Sequence, residues 1–298
     1  MKNVLITGSG GFIGKHLCRY LKEKGVHITG TGRGDSSAAE TDEYIKCDLA
    51  HDDAEVLMNG RTYDTVIHLA TDSRVMPYAV EAVTANCAGT QKLLDMCSIH
   101  GIGSFIQLSS LPIIGEPKIL PIKEDHPLAP PTIYHSTKAL QEFLCNCAEK
   151  NYGLRTVSLR LASPIGKSMR TCTIFPTFML HALKNEKLTV FGKGTRKQAY
   201  IYMPDVVGAI WAAAEGEAHG VFNLTSGMLI SNRDLAELIV KCTGSSSAIE
   251  LEGDDPMDSF VWDTDISKLE NELGYSPEYR DMEAVIKEMA EYYRTVSD

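Results

Sequence analysis

The chain has 298 residues, 44% hydrophobic and 23% charged, ordinary for a soluble globular protein and ample for a sizeable core in one large domain or two small ones. Lys and Arg total 29 against 39 Asp and Glu, a formal net charge of −10 that makes nucleic acid a poor partner, because phosphate contacts need a basic face. No apolar run approaches the ~18 residues of a membrane span, and residues 1–7 lack the charged start and cleavage site of a signal peptide, so a cytoplasmic protein with no membrane contact is expected.

Residues 3–7 predict a strand that ends in Gly8-Ser9-Gly10-Gly11. Residues 12–24 predict a helix, with Ile13, Leu17 and Leu21 on one face and Gly25 as its stop. Strands follow at 26–31, closed by Gly32-Arg33-Gly34, at 44–47, and at 65–70, whose nearly continuous apolar run suits a strand buried on both faces. Residues 79–100 predict one long helix, 104–109 a fifth strand, 132–151 a helix after Pro130-Pro131, and 154–161 a sixth strand. This alternation implies a parallel sheet with right-handed crossovers. After Ser163 the rhythm changes: helices are expected at 174–183, 205–215, 232–242 and 282–293, with short strands such as 188–190 and 221–224. With no Pro-rich linker, residues 166–298 are expected to form a smaller lobe over a domain of residues 1–165, with some segments returning to it. The eight cysteines are scattered, with no Cys-x-x-Cys pair, and Cys145 and Cys147 point to different faces of their helix. Reduced, space-filling cysteines and no metal site are expected.

Gly8, Gly11 and Gly14 are spaced by three between the first strand and the first helix. Glycine permits the tight turn, the approach of backbone to a pyrophosphate, and close helix–strand packing. The helix N-terminus then offers free N–H groups to phosphate, so the segment predicts a dinucleotide site. An acid at the end of the second strand would bond a ribose 2′-hydroxyl, but the segment reads Thr29-Gly30-Thr31-Gly32-Arg33. Arg33 can accept a 2′-phosphate, which favours NADP over NAD; the alternative is a solvated Arg33 with Asp35 reaching back. Asp48 is either a partner for the adenine amine or a solvated loop residue.

Tyr134 and Lys138 are four apart on one predicted helix, so they share a face. A free tyrosine has a pKa of about 10, and a nearby ammonium lowers it, which lets the pair move a proton at a carbinol or carbonyl oxygen. Ser110 ends the fifth strand, and in a parallel sheet that end faces the ligand crevice.

On these residues the chain resembles the extended short-chain dehydrogenase/reductases, in particular the sugar-nucleotide epimerase/dehydratase/reductase group. The resemblance rests on Thr7-Gly8-Ser9-Gly10-Gly11-Phe12-Ile13-Gly14, Asp48-Leu49, His68-Leu69-Ala70, Asn86 with Gly89-Thr90, Ser109-Ser110, Tyr134-His135-Ser136-Thr137-Lys138, and Arg160 near Pro164-Ile165-Gly166. Further on it includes Tyr200-Ile201-Tyr202-Met203-Pro204-Asp205, Phe222-Asn223-Leu224 and Leu273-Gly274-Tyr275-Ser276-Pro277. It implies an α/β fold, a Rossmann-type doubly wound parallel sheet with a smaller C-terminal substrate-binding lobe. It implies Ser110, Tyr134 and Lys138 as the catalytic triad, with Lys138 also on the nicotinamide ribose. Gly8, Gly11, Phe12, Ile13, Gly14, Arg33, Asp48, Leu49, Leu69, Ala70 and Asn86 would hold the NAD(P), together with Tyr134 and Lys138.

The chain also departs from that pattern. Leu111-Pro112 stand where the group's water-removing members carry Asp-Glu, and Leu111 stands where GDP-fucose-type reductase/epimerases usually carry Cys. Ser163 stands for a frequent Asn, and Gln198 for the Arg that usually grips the diphosphate, with Arg196 or Lys197 as candidate substitutes. Ser163, Arg196 and Gln198 are thus the expected substrate contacts. The leading expectation is a 4-epimerase or 4-keto reductase of a sugar, nucleotide-linked, in carbohydrate biosynthesis. A reductase of a non-sugar carbonyl and a non-catalytic dinucleotide sensor are the alternatives. Pairing into a homodimer through the Tyr134 helix is common in the group.

Overall fold

The computed structural model describes residues 1–73 and 79–296. Its first half is β1 (Asn3–Thr7), α1 (Phe12–Glu23), β2 (His27–Gly32), β3 (Glu43–Lys46), β4 (Thr65–His68), α2 (Ala79–Val83), α3 (Gly89–Ile99), β5 (Ser104–Ser110), α4 (Ile133–Tyr152) and β6 (Arg155–Leu161). There follow β7 (Ser163–Ile165), α5 (Ile174–Leu183), β8 (Leu188–Phe191), β9 (Lys197–Tyr202), α6 (Met203–Glu215), β10 (Gly220–Leu224), β11 (Met228–Ser231), α7 (Asn232–Thr243), β12 (Ile249–Glu252), α8 (Ser267–Asn271) and α9 (Met282–Val296).

Seven strands form one sheet in the order β10-β6-β5-β4-β1-β2-β3, every neighbouring pair parallel. The chain runs outward from β1 through β2 and β3, then restarts at β4 on the other side, so the crevice between β1 and β4 is the switch point where such sheets bind ligands. Alternation along the strands divides the core. Val4 and Ile6 face α1 and α6 with Leu17, Leu21, Val206 and Ile210, while Leu5, Val66 and Phe105 face α3 and α4 with Leu93 and Leu94. A further core beyond the sheet gathers Phe175, Phe178, Leu235, Ile239, Ile286 and Met289 from α5, α7 and α9.

Helix α4 shows why these boundaries fall where they do. Thr132 is its N-cap, accepting from the His135 backbone N–H, and Gly153 closes it in the left-handed region at φ +71°. The predicted long helix at 79–100 is found in pieces: a π turn at Thr84–Ala88 joins α2 to α3, a change of hydrogen-bond register that apolar periodicity does not encode. The second strand lies one residue later than predicted. After β6, strands β7, β9, β11 and β12 were not predicted from the sequence; they are three to six residues long and pair only with segments distant in the chain. Strand β9 lies between β11, antiparallel to it, and β7, parallel to it.

Strand β10, although late in the chain, pairs with β6 in the main sheet. Asp205, buried at the start of α6, accepts hydrogen bonds from the Tyr275 hydroxyl and from the Glu278 and Tyr279 backbone N–H groups at 2.8–3.0 Å, tying the C-terminal segment down. Among the described residues no helix is long and apolar enough to cross a membrane, and no group of three or more His, Cys, Asp or Glu has metal-binding geometry. All eight cysteines are free; Cys145 is buried and Cys147 exposed, as their spacing predicts.

Candidate active site

The glycine cradle joins β1 to α1. Gly8 takes a φ of +70°, and a Cβ there would stand 2.7 Å from the Ala70 backbone nitrogen. A Cβ on Gly14 would meet the carbonyl oxygens of Gly8 and Ser9. Gly11 is the N-cap of α1 and no side chain caps the helix, so the first N–H groups, at Phe12, Ile13 and Gly14, face outward. This close-packed turn, open only on its backbone N–H side, fits a dinucleotide pyrophosphate. Leu69 and Ala70 form the opposite lip, held by bonds from their backbone N–H groups to the Thr7 carbonyl and hydroxyl.

Arg33 is exposed at the end of β2, and no described residue pairs with it. Asp35, the competing ribose ligand, has its carboxylate 2.6 Å from Lys46 Nζ. Asp48 is half-buried and accepts from the Ala50 N–H, while Leu49 is buried under α3, where a Cβ on Gly89 would stand 2.8 Å from the Leu49 Cβ.

Beneath this groove lies a buried polar network. His68 is bonded to Thr7 Oγ1 at 2.7 Å and to Thr90 Oγ1 at 2.9 Å, and burial drives its pKa down to about 3. Gln141 on α4 donates to Thr90 Oγ1 and to the Asn86 carbonyl. Asn86 is fully buried in the π turn. Its side-chain oxygen accepts from the Asp72 N–H at 2.7 Å, and its amide donates to the Asp72 carbonyl and to Thr137 Oγ1 at 2.9 Å. It therefore braces the loop after β4 against α4.

Tyr134 and Lys138 lie one turn apart on α4. Lys138 is buried and its Nζ donates to the Leu108 carbonyl at 2.8 Å; desolvation lowers its pKa to about 8. Tyr134 is half-buried, and burial raises its phenol, opposed by the charge of Arg170. The lowering predicted from Lys138 is thus not found: its ammonium is directed at the β5 carbonyl, and desolvation of the phenol dominates. Lys138 is further anchored by its strand and helix, because Arg160 on β6 grips Glu142 on α4 through two nitrogens at 2.9–3.0 Å and bonds the Glu124 carbonyl. Both side chains of that pair are 5% exposed.

Ser110 ends β5 and opens on a cavity of about 220 Å³, walled by Leu111, Pro112, Ser163, Arg196, Gln198 and Trp262 among others. A larger cavity of about 780 Å³ adjoins it. Ser163, Arg196 and Gln198 line both, so the structure brings the three predicted substrate residues together with Ser110. Tyr134 and Lys138 are in neither wall. Gln198 donates to Asn232 Oδ1 at 2.8 Å, and Arg196 Nη1 is 3.9 Å from Asp255. Lys197 is exposed and belongs to neither wall. Among the cavity residues that were not candidates in the sequence are Arg170, Asn232, Asp254 and Asp255. None lies in a spaced motif, and only folding brings them to one wall.

A glycine cradle at the switch point of a parallel sheet, with a Tyr–Lys helix beside the same crevice, is the arrangement of an α/β enzyme that works with a nicotinamide dinucleotide. More narrowly, the chain belongs to the NAD dependent epimerase/dehydratase family, whose model matches residues 4–225. It is 27% identical to a dTDP-glucose 4,6-dehydratase of Streptomyces griseus, over 92% of this chain and 89% of the relative. It shares its fold with a UDP-glucose 4-epimerase of Thermotoga maritima solved with UDP-glucose, at a TM-score of 0.92, 24% identity, and coverage of 99% of this chain and 100% of the other. A UDP-glucuronic acid 4-epimerase of Bacillus cereus, solved with UDP-glucuronic acid and NAD, matches at a TM-score of 0.86 and 27% identity, over 99% of each chain.

Proposed function

We propose that this chain is an NAD(P)-dependent enzyme acting at C4 of a nucleotide-linked sugar, as a 4-epimerase or a 4-keto reductase. The observation that carries the reading is Tyr134 one turn from a buried Lys138, on the helix braced against the switch-point crevice. The dinucleotide, held by the glycine cradle, would supply or take up the hydride. Tyr134 would give or take the proton at the 4-oxygen, Ser110 would bond that oxygen, and Lys138 would fix the ribose beside it. Burial keeps the Tyr134 phenol protonated at neutral pH, the form that donates to a carbonyl oxygen being reduced. Loss of water across C5 and C6 of a 4-keto intermediate is disfavoured, since Leu111 is buried and Pro112 follows it, so no acid or base comes directly after Ser110.

Tyr134→Phe tests this. Turnover on the true sugar nucleotide should fall about 10²–10⁴-fold with dinucleotide binding retained; undiminished turnover would overturn the reading. Mass spectrometry of ligands carried through purification separates the two reactions: retained NAD points to the epimerase, and an empty protein that consumes NADPH points to the reductase.

NADP is the preferred dinucleotide in this reading, supported by an Arg33 with which no described residue pairs and an Asp35 engaged by Lys46. Arg33→Ala should weaken NADPH about tenfold or more and leave NADH unchanged, read by fluorescence titration. Equal losses for both would remove the preference. A homodimer is also proposed, across the exposed Leu140 and Phe143 of α4 and the nearby Val80 and Val83 of α2. The free cysteines suit a reducing cytoplasm.

A further inference from the structure

Lys138 is buried, and its ammonium donates to an uncharged acceptor, the Leu108 carbonyl, at 2.8 Å. A cation in that setting tends to shed its proton. The titratable groups that face it are Tyr134, Glu142 and Cys145 on its own helix, Cys87 in the π turn and His68 on β4. Burial holds the two thiols, the Tyr134 phenol and the His68 imidazole uncharged at neutral pH. Glu142 is the charged member of this set. It lies one turn beyond Lys138 on the same face of α4, and it too is buried. Arg160, buried on β6, holds its carboxylate through Nε and Nη2 at 2.9–3.0 Å. Arg160 Nη1 donates to the Glu124 carbonyl at 2.8 Å, and Glu124 Oε1 accepts from the Asn223 backbone N–H at 2.8 Å. The carboxylate is therefore fixed from β6 and, by way of Glu124, from β10.

We propose that Glu142 is a positioning residue whose fixed carboxylate keeps the Lys138 ammonium charged beside Tyr134. The inference rests on the catalytic reading above, in which Lys138 acts as a cation on the ribose. An opposite charge nearby favours the charged form of a lysine, and desolvation opposes it. At Lys138 desolvation is the larger effect, and its pKa settles at about 8 with Glu142 acting to raise it. That value leaves the side chain mostly charged at neutral pH. A further fall of about one unit would leave about half of it uncharged there. Arg160 serves the same end, because a carboxylate gripped on its other nitrogens cannot turn away from the helix.

The test reads Lys138 directly, by carbon NMR of protein grown with lysine isotopically labelled at Cε, its signal assigned by loss in Lys138→Met. Glu142→Gln should lower the titration midpoint of Lys138 by about one pH unit or more, while Glu142→Asp, which keeps the charge, should hold it near the wild-type value. Removing one partner of a buried ion pair is strongly destabilising, so the same titration is run on the double variant Glu142→Met with Arg160→Leu, where apolar side chains replace the pair. The midpoint should fall there too. A pair that only braces the helix would leave Lys138 titrating as in the wild type. A midpoint unmoved in the double variant, or lowered equally by Glu142→Asp, would overturn the assignment. The titration uses no substrate, so that result leaves the sugar-nucleotide reading standing, whereas undiminished turnover in Tyr134→Phe overturns the reading and leaves the titration untouched.

Discussion

His68 is only 1% exposed, and its two ring nitrogens are both occupied by threonine hydroxyls and Gln141. A pKa of about 3 in the fold against 6.5 for a free imidazole means that the fold holds the neutral form. The stability this represents is complete above pH 6.5 and is lost as pH falls toward 3, because the unfolded chain takes up the proton first. Acidifying from about pH 6.5 to about pH 5 should therefore cost the wild type roughly 1.5–2 kcal/mol more than His68→Gln, read by urea unfolding at both pH values. Equal losses would show that the imidazole is not what the acid attacks. At this scale the sequence was informative where spacing carries geometry: Tyr134 and Lys138 share a helix face because they are four apart. It was silent on Lys138 bonding the Leu108 carbonyl, on Asn86 bracing Asp72, and on Arg170 meeting Ser73. Each of these joins segments far apart in the chain, and nothing in local composition marks them.

The helices carry their periodicity openly, and α5 was read from the sequence at its observed bounds, Ile174–Leu183. The short strands were not, since a run such as Lys197–Tyr202 acquires its partners only when Ser163–Ile165 and Met228–Ser231 arrive beside it. The π turn at Thr84–Ala88 is another case. It turns Asn86 inward, with Cys87, and delivers α3 to β3's exit, where Gly89 lets the helix press on Leu49. Gly89→Ala would place a methyl 2.8 Å from the Leu49 Cβ, and both atoms sit on stiff backbone. The expected loss is about 1–3 kcal/mol by chemical denaturation, with weaker dinucleotide binding because Leu49 and Asp48 are displaced together. If stability and dinucleotide affinity stay at wild-type values, the packing account of Gly89 is wrong.

For the whole molecule, the proposed dimer is the part most easily tested. Phe143, 55% exposed on α4, is a large apolar side chain on a surface that otherwise repels its own copies by charge. Phe143→Glu should shift sedimentation from dimer to monomer without altering the melting temperature of the monomer; a wild type already monomeric would remove the proposed interface. The parallel sheet itself was legible, because its inner strands are buried on both faces and read as apolar runs. The alternation of strands and helices left open which of the expected returning segments fills the sheet's last place; it is β10, beside β6. That late return, β10 onto β6, has a consequence for synthesis. A ribosome delivers the cradle, the Tyr134 helix and β6 well before Leu224, and during that interval β6 is an open edge whose backbone donors and acceptors await a partner. The nascent chain thus passes through a stage exposed to mispairing with its neighbours, and slower translation of residues 162–224 would lengthen that exposure rather than assist folding.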